Sequence, residues 1–238
     1  MTNSIFTKLS DWVRDEVTSG GGNGVVFGLS GGIDSAVTAY ICKNAFPDSS
    51  LGINIPCFSS KADINDAKSI AKGIKLNYVS VNMDHTYNTM LDELGEMRDD
   101  RDISLSNIKP RLRMIVLYFY ANNLNYFVIG AGNKSEITLG YFTKFGDGGC
   151  DLMPLGNLTK REVYSLARSL DIPEGIIEKP PSAGLWRGQT DEGELGITYH
   201  EIDDYLEGKK VSKDVKTKIE ELIKKNEHKR RMPKIPDF

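Results

Sequence analysis

Between residues 24 and 130 the chain alternates short β-branched or aromatic runs with longer stretches whose apolar residues recur at helical spacing, and this alternation restricts the fold more than any other feature. Val25-Val26-Phe27, Leu51 to Ile55, Tyr78 to Val81 and Tyr126 to Ile129 read as strands. Ala36 to Asn44, Lys61 to Gly73 and Asn107 to Asn122 read as helices between them; Ile64, Ala67, Ile70, Ala71 and Ile74 share one face of the second. Strands joined through helices pair in parallel, which predicts an α/β fold: a doubly wound parallel sheet with helices on both faces. An amphipathic helix carrying Ile5, Leu9, Trp12, Val13 and Val17 precedes the sheet and ends at Gly20-Gly21-Gly22. Beyond Gly130 the pattern breaks into a glycine-rich stretch from Gly140 to Gly156, a helix from Lys160 to Leu170, a polar segment from Pro173 to Gly196 and a terminal helix from Ser212 to Lys225. Long irregular segments in a compact domain point to function.

The 238 residues carry 30 basic and 33 acidic side chains, a net charge of −3, which lacks the electropositive footprint of nucleic-acid binding. Cys42, Cys57 and Cys150 are odd in number and far apart, so they suit neither a disulfide framework nor a CxxC motif, and a reducing cytoplasm is the expected setting. The N-terminus mixes Lys8, Asp11, Arg14, Asp15 and Glu16 among apolar residues, unlike a signal peptide. The longest apolar run, Met114 to Ala121, falls well short of the roughly 20 residues a membrane span needs. No linker or internal repeat divides the chain, so one domain over residues 1–238 is expected.

Gly28-Leu29-Ser30-Gly31-Gly32-Ile33-Asp34-Ser35 follows the first strand and opens a helix, the place where backbone amides and the helix dipole make an anion site. Glycines let the backbone approach a phosphate, and Ser30 and Ser35 add hydroxyls. No Lys-Ser or Lys-Thr pair follows, so this is not a Walker loop. Asp34 beside phosphates is repulsive unless a hard cation such as Mg²⁺ bridges them; the plainer alternative is a glycine turn with Asp34 capping the helix.

The Ser-Gly-Gly-Ile-Asp-Ser loop resembles the signature of the N-type ATP pyrophosphatases, whose adenine nucleotide alpha hydrolase-like fold cleaves ATP to AMP and pyrophosphate. Two further stretches are similar to the ammonia-dependent NAD synthetases in particular. One is Gly132-Asn133-Lys134-Ser135-Glu136 with Gly140 to Asp151, and the other is Thr190-Asp191-Glu192-Gly193-Glu194-Leu195-Gly196. With Leu158-Thr159-Lys160-Arg161 and His228-Lys229-Arg230, the resemblance extends from about residue 5 to the end of the chain. It implies ATP as co-substrate on Gly28, Leu29, Ser30, Gly31, Gly32, Ile33, Asp34, Ser35, Ala131, Lys160 and Ser182. Mg²⁺ falls on Asp34 and Glu136, and the acceptor dinucleotide on Arg111, Lys144, Asp151, His228 and Lys229. Asp34, Glu136, Lys160 and Asp151 carry the catalytic assignments, Asp151 only as an acidic group in the right neighbourhood. Ala131 departs from the pattern, since many members have a hydroxyl residue there, and any contact it makes to ATP is main-chain. Ser182 stands where a threonine is usual and keeps the hydroxyl.

By that resemblance the enzyme amidates nicotinic acid adenine dinucleotide with ammonia through an acyl-adenylate, as a homodimer. Only 27 residues precede the loop, without an N-terminal Cys nucleophile, so no glutaminase domain is expected and ammonia is taken directly or delivered by a separate protein. A tRNA-thiolating or other N-type ATP pyrophosphatase, a GMP synthetase half and a non-catalytic nucleotide-binding regulator remain as rival readings. His85 and His200 match no motif and read as surface or turn residues, Tyr118, Phe119 and Tyr120 read as core, and Trp186 sits in a segment able to cover a substrate.

Overall fold

Val26 on the first strand pairs with Leu51 on one side and Val128 on the other, and every strand pair in the sheet is parallel. The computed structural model describes residues 2–95, 102–186 and 188–238. Its helices are α1 (Thr2–Ser19), α2 (Ile33–Ala45), α3 (Lys61–Gly73), α4 (Asp84–Leu94), α5 (Ile103–Ser106), α6 (Ile108–Leu124), α7 (Lys134–Leu139), α8 (Lys160–Ser169), α9 (Glu174–Ile177), α10 (Asp191–Leu195), α11 (Tyr199–Leu206) and α12 (Lys213–Lys225). The strands are β1 (Gly24–Gly28), β2 (Ser50–Asn54), β3 (Asn77–Ser80) and β4 (Tyr126–Ile129), in the spatial order β3-β2-β1-β4.

The buried residues of β1 alternate between two cores. Val25 and Phe27 pack with Ala36, Val37, Ile41, Ala67, Ile70 and Val163 from α2, α3 and α8, and with Val13 and Val17 from α1. Val26 packs on the opposite face with Val128 and with Ala121 of α6. Helices therefore cover both faces, which removes the hydrophobic sheet from water and confirms the doubly wound class. The chain runs outward from β1 through β2 to β3, then returns along α4 to α6 to place β4 on the other side of β1. That reversal makes the crevice between the carboxyl ends of β1 and β4 a topological switch point, where open α/β sheets hold ligands.

The strand and helix assignments through residue 130 agree with the structure to within a few residues at their ends. Several points differ, beginning with α4, α5 and α7, which the periodicity did not mark. Pro173 to Gly196 contains two short helices, α9 and α10. Residues 199–206 form α11, entered through a reciprocal cap between Thr198 and Glu201. Of the three consecutive aromatics on α6, Tyr118 and Tyr120 are half-buried, but Phe119 is 62% exposed, because residues 100° apart on a helix cannot all face the core.

Candidate functional site

The loop after β1 is shaped by its own side chains. Ser35 Oγ donates to the Gly32 carbonyl at 2.9 Å and accepts from Ser30 N at 3.2 Å, while Ser30 Oγ accepts from Gly32 N at 3.3 Å. Gly31 has φ +88°, and a Cβ there would lie 2.3 Å from the Asp63 carbonyl oxygen, so only glycine fits. Lys179 braces the loop from outside by donating to Gly31 O and to Asp63 and Asp66. Gly32 caps α2 without a side-chain hydrogen bond, which leaves the helix's first amides directed at the crevice. Asp34 is therefore not the cap; it lies in the first turn.

Across the switch point, β4 ends at Ile129 and the chain passes through Gly130, Ala131 and Gly132 into α7. Asn133 and Glu136 form a capping box there, and Glu136 divides its two oxygens. Oε2 accepts from Asn133 N at 3.3 Å, while Oε1 lies 3.2 Å from Lys160 Nζ. One oxygen of Glu136 thus caps α7 while the other faces Lys160. Lys160, at the start of α8 and 2% exposed, donates to Asp34 Oδ2 at 2.5 Å as well. Asn133 Nδ2 donates to Asp34 Oδ1 at 2.9 Å. Asp34, Glu136 and Lys160, separated by up to 126 positions in the chain, meet at one point.

Burial alone would lower the Lys160 pKa, but the Asp34 and Glu136 carboxylates outweigh it and raise it, so the ammonium stays charged. One ammonium cannot neutralise two carboxylates, and Asp34 holds the shorter contact. Burial, reinforced by Asp34, pushes Glu136 up to about 7 against the opposing pull of Lys160. Burial also raises Asp191, which lies one hydrogen bond further out. Among the described residues no group of three or more His, Cys, Asp or Glu side chains forms a protein cage for a metal. Mg²⁺ does not need one, because it is held by one or two carboxylates with the remaining ligands from water and substrate phosphates. Surplus carboxylate charge beside free helix amides suits a divalent cation carried in with a polyphosphate.

Sequence reasoning missed the residues around this centre. Tyr199 places its hydroxyl 3.3 Å from Glu136 Oε1 and donates to Asp191 Oδ2 at 3.0 Å, and its ring lies 4.8 Å from Lys160 Nζ. Tyr141 donates to Glu194 Oε2 at 2.9 Å, and its hydroxyl lies 3.2 Å from Asp191 Oδ1. Asp191 Oδ1 also accepts from Ala183 N, and Asp191 N donates to the Pro181 carbonyl, so the Pro-Pro-Ser-Ala segment that carries Ser182 hangs on Asp191. Ser182 Oγ itself accepts from Gly184 N. Trp186 lines a shallow recess with Gln189, Thr190 and Glu194. The Asn-x-x-Glu spacing at residues 133–136 signalled the cap, whereas nothing local marked Tyr199.

The residues assigned to the acceptor form a second cluster, with one exception. Arg111 on α6 approaches Lys144 O at 3.4 Å, Lys144 Nζ donates to His228 O at 2.6 Å, and Lys229 Nζ donates to Gly140 O and Phe142 O, each at 2.8 Å. His228 enters through its carbonyl rather than its ring. Burial pulls the Lys229 pKa down. Asp151 lies apart from this cluster, beside the middle of β4: Oδ1 accepts from Tyr118 Oη at 2.9 Å and Oδ2 from Val128 N at 2.7 Å. His200 is a surface residue paired with Asp204, and the three cysteines are unbridged.

Fold and site define a class: a parallel α/β protein of the ATP pyrophosphatase type, with a glycine-rich loop and paired carboxylates at the switch point of the sheet. The NAD synthase family pattern matches residues 5–233, and the chain belongs to that family. It is 49% identical over 231 residues to the NH(3)-dependent NAD(+) synthetase of Carboxydothermus hydrogenoformans, spanning 96% of this chain and 95% of the relative. Among solved structures it resembles an NMN synthetase from Francisella tularensis, with TM-score 0.95 and 38% identity over 100% of this chain and 99% of the other. It also resembles the NH3-dependent NAD synthetase of Campylobacter jejuni, with TM-score 0.83 and 31% identity over the same shares.

Proposed function

We propose that this protein amidates the nicotinate carboxylate of nicotinic acid adenine dinucleotide with ammonia to give NAD, while ATP is cleaved to AMP and pyrophosphate. The observation that carries the reading is the convergence of Asp34, Glu136 and Lys160 beside the free amides of α2. A carboxylate is a poor acyl donor because its leaving group would be oxide, so activation comes first. The substrate carboxylate oxygen attacks the α-phosphorus of ATP, the bond to the β,γ-pyrophosphate breaks, and an acyl-adenylate forms. Lys160 and the loop amides stabilise the charge that builds on the α-phosphate and the departing pyrophosphate. Asp34 and Glu136 would hold Mg²⁺, which supplies further positive charge to the phosphates when bound. Ammonia nitrogen then attacks the acyl carbon, the acyl-oxygen bond to AMP breaks, and nitrogen loses a proton to solvent to leave the amide. No step needs a covalent enzyme nucleophile.

In this reading residues 1–238 act as one synthetase domain in the cytoplasm, as a homodimer, on ATP, ammonia and the dinucleotide. Arg111 and Lys144 contact the acceptor's phosphates, and the Ser182 hydroxyl and Ala131 main chain contact ATP. Among the described residues no helix is long and apolar enough to cross a membrane. Incubation with ATP, Mg²⁺, ammonium and nicotinic acid adenine dinucleotide should yield NAD and AMP in equal amounts; absence of both products would refute the reading.

The likeness to the Francisella tularensis NMN synthetase, with TM-score 0.95 along the whole chain, favours a second acceptor, nicotinic acid mononucleotide. Both acceptors present the same nicotinate carboxylate, so the chemistry is unchanged. The ratio of kcat/KM for the dinucleotide over the mononucleotide decides between them.

A further inference from the structure

We infer that Asp203, acting through Ser135, is a positioning residue for the reaction. It ties the N-termini of α7 and α8 together and thereby sets the separation of the Glu136 carboxylate from the Lys160 ammonium. The inference rests on the functional reading above only for the chemistry performed at that centre.

Asp203 lies on α11 and is 1% exposed, and Ser135, the residue before Glu136, is fully buried. Ser135 Oγ donates to Asp203 Oδ1 at 2.5 Å and accepts from the backbone N of Lys160 at 3.0 Å. Asp203 Oδ2 accepts from the backbone N of Arg161 at 2.7 Å. A single hydroxyl therefore joins the neighbour of one reacting side chain to the backbone of the other, and a buried carboxylate fixes the hydroxyl's orientation. The carboxylate sits against the first amides of α8, where the helix dipole and charge-assisted hydrogen bonds favour it.

Tyr199 lies four residues before Asp203 on the same helix, hence on the same face. Its hydroxyl reaches Glu136 and its ring lies beside Lys160, so α11 contacts both reacting side chains as well as the backbone behind them. The Thr198 and Glu201 cap anchors the start of that helix. A template of this kind matters because a displacement of about 1 Å in a reacting group costs on the order of 100-fold in rate. Asp203 does not touch the reacting atoms; it acts through where it holds the groups that do.

The test uses the full chain with Asp203→Asn, Ser135→Ala and Ser135→Thr. Val17→Ala, a buried position on α1, serves as a control for lost stability. Calorimetry measures ATP binding with Mg²⁺ and with chelator, alongside kcat, KM for ATP and thermal midpoint. For Asp203→Asn and Ser135→Ala, kcat should fall roughly 10- to 100-fold, and the gain in ATP affinity on adding Mg²⁺ should shrink about tenfold. Ser135→Thr, which keeps the hydroxyl, should recover most of both. Val17→Ala should lower the thermal midpoint while leaving the Mg²⁺ gain intact. If Asp203→Asn and Ser135→Ala lower the midpoint yet keep the wild-type Mg²⁺ gain and kcat, the positioning role is overturned. If Asp203→Asn does not fold, Ser135→Ala carries the same decision. If the wild type binds ATP with Mg²⁺ but makes no NAD, the functional reading fails while the binding comparison still decides the positioning role.

Discussion

The two clusters of charged residues differ in what their cations bind. At the switch point the Lys160 ammonium meets two carboxylates and an aromatic ring, backed by hydrogen bonds that Asn133 donates to Asp34 and Ser135 donates to the buried Asp203. Around residues 140–145, Lys144 and Lys229 spend their hydrogen bonds on backbone carbonyls, and Arg111, at an exposed position, makes only long contacts among the described residues. The first region is preorganised, with charged groups held where the proposed function has charge develop. The second braces a loop, and under the proposed function its cations would exchange carbonyls for ligand oxygens when an anionic acceptor arrives. Preorganised charge acts on the chemical step, whereas exchangeable charge acts on binding.

Lys160→Met should break the first region most severely, lowering kcat on the order of 1000-fold, the scale seen when a preorganised charge-stabilising donor is lost. Product formation under saturating ATP and acceptor measures this, and near-normal kcat would place the charge stabilisation elsewhere. Arg111→Ala should raise KM for the acceptor about tenfold, in keeping with a lost charged hydrogen bond of about 1.5 kcal/mol, and leave KM for ATP unchanged. An equal rise in both constants would erase the distinction between the regions. Tyr199→Phe keeps the ring under Lys160 and removes only the hydroxyl between Glu136 and Asp191. Its expected cost is about 1 kcal/mol in stability with a loss of activity of a few fold, read by thermal denaturation and steady-state kinetics.

The smallest expected effect is on pH dependence. Glu136 is held up near 7 in the folded protein and returns to its ordinary value of 4.5 on unfolding, so the folded state binds more protons between those values. The metal-free protein should lose stability as pH rises from about 4.5 to about 7 and change little above that on account of this group. Mg²⁺ uptake below pH 7 should release a proton, visible as a dependence of the calorimetric heat on the buffer's ionisation enthalpy. No proton release would place Glu136 outside the metal's reach.

Much of this was legible in local pattern. The β-branched runs and helical periodicities from residue 24 to 130 imply the parallel sheet, because burial on both faces needs that pattern. The turn from Gly28 to Ser35 into α2 is legible in its glycines and its position after the first strand. Phe119 was misplaced because an aromatic run on a helix does not state which member faces the core. The Thr198-x-x-Glu201 spacing carries the signature of α11, but His200 and the glycines around it obscure the helix.

By itself the sequence determined the strands of the sheet, the helices α1, α2, α3, α6, α8 and α12 and the identity of the charged residues available, since these follow from periodicity, turn chemistry and residue type. Only the tertiary structure decided that Lys160 lies between Asp34 and Glu136, that Asp151 is bound to Tyr118 and Val128 beside β4, and that Asp203 and Tyr199 stand behind the centre. The physical reason is distance along the chain. Those contacts join residues from 23 to 126 positions apart, and their geometry exists only once the crossover through α6 has set β4 beside β1.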